Sequence, residues 1–329
     1  MGRYHEQMNA AALVERMRQG DVRALARAIS LVEDETPSAG EILSACFPYS
    51  GSAVRIGITG APGAGKSTLA DALARRYRAN QISVGVVAVD PSSPYTGGAL
   101  LGDRIRMREH ASDPGFYMRS MATRGSLGGL TRTSADVALV IEASGKQHLL
   151  LETVGVGQDE VDIVRLADIT IVVLVPGMGD DVQSLKAGIM EIADVFVINK
   201  SDREGTERIE NEVRAMQSLA SEHGTWIPPI VKTIATTGAG IEELDLVMEK
   251  FWSWLAEDDR LVARRAAQWQ VRVTEMMRHE LLQAMRKWGL SDRELAAIGH
   301  QVARKQQDPY QLVPRLIQQL LQGEEHGTD

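Results

Sequence analysis

Between Val54 and about Ala256, short runs of valine, isoleucine and leucine alternate with stretches whose apolar residues recur every third or fourth position. The runs are Val54 to Thr59, Val84 to Val89, Leu149 to Leu151, Ile169 to Val175, Val195 to Ile198 and Ile230 to Ile234. Runs this continuous mean strands covered on both faces, so the pattern predicts an α/β fold: a mainly parallel central sheet flanked by helices. From about Asn9 to Pro48, Ala11, Leu13, Val14 and Met17, then Val22, Leu25, Ala26, Ile29 and Val32, make apolar stripes at helical spacing, broken at Gly20-Asp21. After Glu257 the pattern is helical throughout. Val262, Ala266, Trp269, Val273, Met276 or Met277, Leu281, Met285 and Trp288 mark one long helix, and Ser291 with Glu294 forms a capping box for the next. Leu312, Leu316, Ile317 and Leu320 mark a third, which Pro314 either kinks or begins.

The chain thus divides into an N-terminal helical segment over 1–52, a sheet domain over 53–256 and a C-terminal helical arm over 257–329. Trp269, Val273, Met277 and Leu281 share one face of the long helix. Such a stripe beyond a complete domain needs a cover: either core packing or, the preferred reading, dimerisation by the arms.

The break after the first run carries the chemistry. Gly60-Ala61-Pro62-Gly63-Ala64-Gly65-Lys66-Ser67-Thr68 joins a strand to a helix-forming stretch and is a complete P-loop. Its glycines let consecutive amides turn onto a phosphate chain, Lys66 can reach the β and γ phosphates, and the Ser67 hydroxyl suits Mg²⁺. Without a ligand the Lys66 side chain is expected to face solvent. Asn199-Lys200-Ser201-Asp202 follows a later strand, and a carboxylate there can accept from guanine N1–H and N2–H₂ together, where adenine offers an acceptor. The expected ligand is therefore GTP or GDP.

Three acids follow the strands near this loop. Asp90 ends Val86 to Val89 and suits Mg²⁺ or its waters; Asp103 is a second candidate for placing the metal or the attacking water. Glu152 stands three residues before Gly155, whose amide could bind a γ-phosphate. An acid at a strand end can equally cap a helix or sit on a solvated turn. Val156 stands where Ras-like proteins carry a water-orienting glutamine, so intrinsic hydrolysis is expected to be slow. Arg104, Arg119 and Arg124 are candidates to stabilise the transition state, although a solvated surface arginine is the commoner case.

The chain has 329 residues, of which 44% are hydrophobic, enough for a sizeable core. A formal net charge of −8 gives no support to nucleic-acid binding. One cysteine, Cys46, excludes an internal disulfide framework and suits a reducing compartment. No 18-residue apolar run exists and the amino terminus is polar, so no membrane association and a cytoplasmic location are expected.

Taken together, the P-loop, Asp90-Pro91-Ser92-Ser93, Gly97-Gly98 with Leu101-Gly102-Asp103-Arg104, Gly125-Ser126-Leu127-Gly128-Gly129 and Glu152-Thr153-Val154-Gly155-Val156-Gly157-Gln158 closely resemble the MeaB/ArgK-type G proteins, from near Ala26 to near Trp269. That resemblance implies a G domain of the SIMIBI class in a homodimeric GTPase. It also implies a chaperone that gates cofactor loading for an adenosylcobalamin-dependent acyl-CoA mutase, typically methylmalonyl-CoA mutase, and protects or reactivates it. A partner-sensing loop is implied as well, matching Pro176 to Lys186 with Asp180, Asp181 and Lys186; a plain solvated loop is the alternative. The last guanine contact, made in the family by backbone amides of a Ser-Ala-like loop, falls on Ala235, Thr236 and Thr237.

Two other classes compete. A nickel or zinc metallochaperone GTPase needs soft or imidazole ligands, and one cysteine with seven scattered histidines is a poor supply. A kinase or transport-energising ATPase is opposed by Asp202. A nucleotide-dependent dimer of the ArsA or MinD kind is opposed by Ala61, where those P-loops carry another lysine.

Overall fold

A computed structural model describes residues 9–90, 110, 112–122, 132–153, 162–177, 191–219 and 226–322. Seven strands, β1 (Val54–Gly60), β2 (Val84–Asp90), β3 (Phe116–Ala122), β4 (His148–Glu152), β5 (Ile169–Leu174), β6 (Val195–Asn199) and β7 (Ile230–Thr233), form one sheet in the order β3-β2-β4-β1-β5-β6-β7. Every pairing is parallel. Among the described residues there are ten α-helices: α1 (Ala10–Arg18), α2 (Val22–Glu33), α3 (Ala39–Cys46), α4 (Lys66–Ala79), α5 (Arg132–Ala143), α6 (Thr206–Leu219), α7 (Ile241–Ala256), α8 (Arg260–Trp288), α9 (Asp292–Ala303) and α10 (Pro309–Gln322). None of them is long and apolar enough to cross a membrane.

The alternation along β5 and β6 explains their unbroken apolar sequence. Ile171, Val173 and Val197 join Leu69 and Leu73 of α4 and Leu244, Met248 and Phe251 of α7 in one core. Val172, Leu174, Phe196 and Ile198 join Ile209 and Val213 of α6 in another. Both faces are dry, and the polar residues of these two strands are confined to Thr170 and the terminal Asn199. The N-terminal stripes become α1–α3; α2 and α3 pack against α5, and α1 packs on α2 and α3. Asn9 caps α1 by accepting from the amides of Ala11 and Ala12, and Asp21 caps α2 by accepting from Arg23 and Ala24.

β3 is the strand that the hydrophobic pattern does not announce. It lies at the sheet edge beside β2, with most of its side chains half-buried and Arg119 and Ser120 among them. An edge strand needs no continuous apolar run. Arg119 donates from Nε to Glu33 Oε2 at 2.9 Å, tying β3 to α2. This neighbour makes it a structural cross-link rather than a transition-state arginine.

The chain falls into two compact units, 1–268 and 269–329, which meet within α8. In the first, the opening turns of α8 bind the amino-terminal edge of the sheet. Arg265 donates to both carboxylate oxygens of Asp168, at 2.9 and 2.8 Å, and to the Ala53 carbonyl at 3.0 Å. Arg55 reaches the same carboxylate at 2.9 Å, and Arg264 forks onto Asp194 at 3.0 and 2.6 Å. Gln268 donates to the carbonyls of Val164 and Ala167. Burial alone would raise the fully buried Asp168 carboxyl, yet the guanidiniums of Arg265 and Arg55 outweigh it and hold it below the ordinary value. At Asp194 burial wins and pushes the carboxyl up despite Arg264.

In the second unit Ser291 and Glu294 form the expected capping box. Leu290, Leu312 and Leu316 make a small core with Met285, Trp288 and Ile298. The last helix begins at Pro309 and contains Pro314, so Pro314 does not open it. Val273, Met277 and Leu281 are 47%, 61% and 52% exposed.

Candidate nucleotide site

β1 delivers residues 60–65 to the carboxyl edge of the sheet, between β4 and β5, where open α/β sheets take ligands. The loop needs its glycines. Gly60 has φ +138°, and a Cβ there would strike the Val173 carbonyl; Gly65 has φ +91°, and a Cβ there would strike the Asn199 side-chain amide. Gly65 is also the N-cap of α4, and no side chain caps that helix. The positive end of the helix dipole therefore faces the loop with no side-chain cap on it, the arrangement in which a helix start takes a phosphate.

Lys66 does not face solvent as the sequence suggests: it is 6% exposed, and its ammonium donates to the Gly60 carbonyl at 2.8 Å and to the Ala61 carbonyl at 3.1 Å. A long side chain at the first turn of α4 curls back over the loop that precedes it and finds the acceptors there. Ser67 Oγ donates to Glu152 Oε1 at 2.6 Å, across α4 and the end of β4. A hydroxyl and a carboxylate so placed are hard oxygen donors and fit Mg²⁺.

The segment from Asn199 to Asp202 is wired into the same loop. Asn199 donates from Nδ2 to the Ala64 carbonyl at 2.9 Å, while its Oδ1 accepts from the Ala235 amide at 3.1 Å and from Thr233 Oγ1 at 3.2 Å. Lys200, at φ +55°, donates to the Gly63 carbonyl at 2.7 Å. The P-loop, the Asn199–Asp202 segment and the turn after β7 are thus one hydrogen-bonded assembly. Asp202 sits on the exposed turn beyond β6 and makes no side-chain hydrogen bond among the described residues. The Ala235 amide is engaged by Asn199 and the Thr237 amide by the Ile234 carbonyl, which leaves the Thr236 amide for a ligand. Thr233 is a positioning residue that sequence reasoning missed; the signal was that a buried Asn199 must find partners for both ends of its amide.

Register places two of the acids. Ala88 of β2 and Ile58 of β1 both pair with Glu152, so Asp90, two residues beyond Ala88, leaves the sheet on the same edge as Glu152 and the P-loop. Asp103, Gly155, Asp180, Asp181 and Lys186, with Arg104 and Arg124, lie outside the described residues.

The comparisons agree with this geometry. The family described as Methylmalonyl Co-A mutase-associated GTPase MeaB matches residues 25–289. A putative GTPase of Pyrococcus abyssi is 45% identical over 314 residues, covering 94% of this chain and 97% of its own. GTPase ArgK of Escherichia coli is 37% identical over 272 residues, covering 79% and 82%. A crystal structure titled LAO/AO transport system kinase superposes with a TM-score of 0.71 at 27% identity, covering 96% of this chain and 99% of that one. With a P-loop on a parallel sheet and these relatives, the chain is a GTP hydrolase and belongs to the MeaB family.

Proposed function

We propose that GTP hydrolysis by this protein serves an adenosylcobalamin-dependent acyl-CoA mutase, most simply methylmalonyl-CoA mutase, by gating cofactor loading and by protecting or reactivating the mutase. The observation that carries this reading is the family match over residues 25–289. In the cycle, Lys66 and the backbone N–H groups of the P-loop, Pro62 having none, neutralise the phosphates, and Asp202 with the Thr236 amide holds the guanine. Ser67 and Glu152, with Asp90 and Asp103, would hold Mg²⁺, which supplies charge neutralisation at the β and γ oxygens. Asn199 positions rather than contacts, since its amide is occupied by Ala64 and Ala235. Gly155 registers the γ-phosphate, and Asp180, Asp181 and Lys186 report it to the mutase.

Turnover measured with and without purified mutase tests the proposal. Stimulation is expected with the unaltered protein, and the double substitution Asp180→Ala, Asp181→Ala is expected to keep the intrinsic rate while losing it. Coupling of this kind is typically about 1–3 kcal/mol, or about 5- to 150-fold. A rate indifferent to the mutase, with no co-elution in any nucleotide, would refute the assignment.

We also infer that the exposed stripe of α8, with Val273, Met277 and Leu281, is the contact of a homodimer. Light scattering of the full chain should read two copies, and Met277→Glu with Leu281→Glu should read one while GDP binding persists. A dimer that withstands both glutamates places the contact elsewhere.

A further inference from the structure

At the edge of the sheet opposite the phosphates, β1, β4 and β5 begin and helices α4 and α7 pass above them, leaving a cleft of about 290 Å³. Its floor is apolar, formed by Val54, Ile56 and Ile169. Its walls are aromatic. Tyr77, in the last turn of α4, stacks on His148, the first residue of β4, with centroids 4.3 Å apart and planes 4° apart, and Trp252 of α7 completes the lining.

The charged side chains that line the cleft, Asp245 and Glu249, are both carboxylates. Asp245, 6% exposed, accepts from Arg76 Nε at 2.5 Å. Arg76 also lies 3.7 Å from Glu242, so its guanidinium is shared between two carboxylates. Glu249, one turn further along α7, has an exposed carboxylate with no side-chain hydrogen bond or ion pair among the described residues. His148 Nδ1 is buried and has no hydrogen-bond partner among the described residues. Burial pushes that imidazole below its ordinary value, so it stands neutral at pH 7. An orphaned ring nitrogen of this kind costs about 1–3 kcal/mol unless something bonds to it. The carboxyl end of α4 adds the negative end of a helix dipole to the same wall.

An anion is repelled by this arrangement, and an uncharged apolar molecule leaves His148 Nδ1 and the Glu249 carboxylate as they are. A group carrying several N–H donors and a positive charge satisfies both, and the Trp252 and Tyr77 rings favour it again through their faces. The volume is at the lower limit of small-molecule sites, about 300 Å³, and suits a free metabolite-sized ligand. We propose that this cleft is a second ligand site, remote from the nucleotide, for a small organic cation: a primary ammonium or guanidinium on a short apolar stem.

Calorimetric titration of the full-length, GDP-loaded protein tests it. The probes are n-butylammonium and butylguanidinium, against 1-butanol and butyrate at matched ionic strength. Both cations should bind at about 10 mM, where fragments of this size reach useful occupancy at ordinary ligand efficiency, and the alcohol and carboxylate should bind at least about tenfold more weakly. Glu249→Gln should weaken cation binding about fivefold or more, in line with loss of a charge-assisted contact. Ser253→Phe, placed on the exposed side of the lining, should abolish it by filling the space. Neither residue touches the phosphate site, so GTP turnover and the melting temperature should match those of the unaltered protein and certify the fold. Absence of binding by either cation, equal binding of butanol or butyrate, or cation binding indifferent to both variants would each overturn the proposal.

Discussion

Replacing Lys66 with alanine is expected to lower GTP turnover at least about a hundredfold, the usual consequence of deleting a donor that neutralises charge in the transition state. The hydrogen bonds of this lysine explain why the effect should exceed loss of binding. Its ammonium already lies across the loop, on the Gly60 and Ala61 carbonyls, at the first turn of the helix whose amides meet the phosphate. Exchanging neutral carbonyls for phosphate oxygens is a small movement with a large electrostatic return, and it grows as negative charge develops on the leaving group. Alanine also strips the donor from two loop carbonyls, so a stability loss of about 1 kcal/mol should accompany the kinetic one. Single-turnover hydrolysis alongside thermal melting separates the two. Unchanged turnover in a folded Lys66→Ala protein would show that the P-loop is not the catalytic site.

Substituting Asp202→Asn is expected to exchange the preferred base. The amide can donate to the 2-oxo group of xanthine and no longer accepts from both guanine nitrogens, so GTP should weaken by about 2–4 kcal/mol while xanthosine triphosphate gains. The loop should survive, because Asp202 is exposed and the struts to Ala64, Thr233 and Ala235 all run through Asn199. Competition among GTP, ATP and xanthosine triphosphate reads the change. Equal affinity of the unaltered protein for ATP and GTP would sink the guanine assignment.

Sequence periodicity revealed those parts of the fold whose causes are local. β1, β5 and β6 are buried on both faces and announce themselves as apolar runs; Asn9, Asp21 and the Ser291–Glu294 pair announce helix starts because a cap bonds within three residues. β3 escaped because an edge strand tolerates Arg119 and Ser120. The P-loop and the Asn199–Asp202 segment were legible as motifs, and the structure adds how they meet: Asn199 reaches Ala64 and Ala235 only when β1, β6 and β7 are in register across the sheet. The burial of Lys66 was not legible, since its acceptors belong to the folded loop. Nor was the pairing of Arg265 with Asp168, 97 residues apart, since no short-range pattern distinguishes such arginines from solvated ones.

That last pairing decides where the protein can be cut. A fragment ending with α7 would keep every strand, yet it would strand the Asp168 carboxylate with one guanidinium instead of two and leave Asp194 with none. Removing one partner of a buried ion pair typically costs about 3–5 kcal/mol, and a domain holds only about 5–15 kcal/mol in all. The shortest fragment that carries its own interior therefore ends after Gln268, and the opening turns of α8 are the last piece of the nucleotide domain's foundation as well as the stem of the C-terminal helical unit.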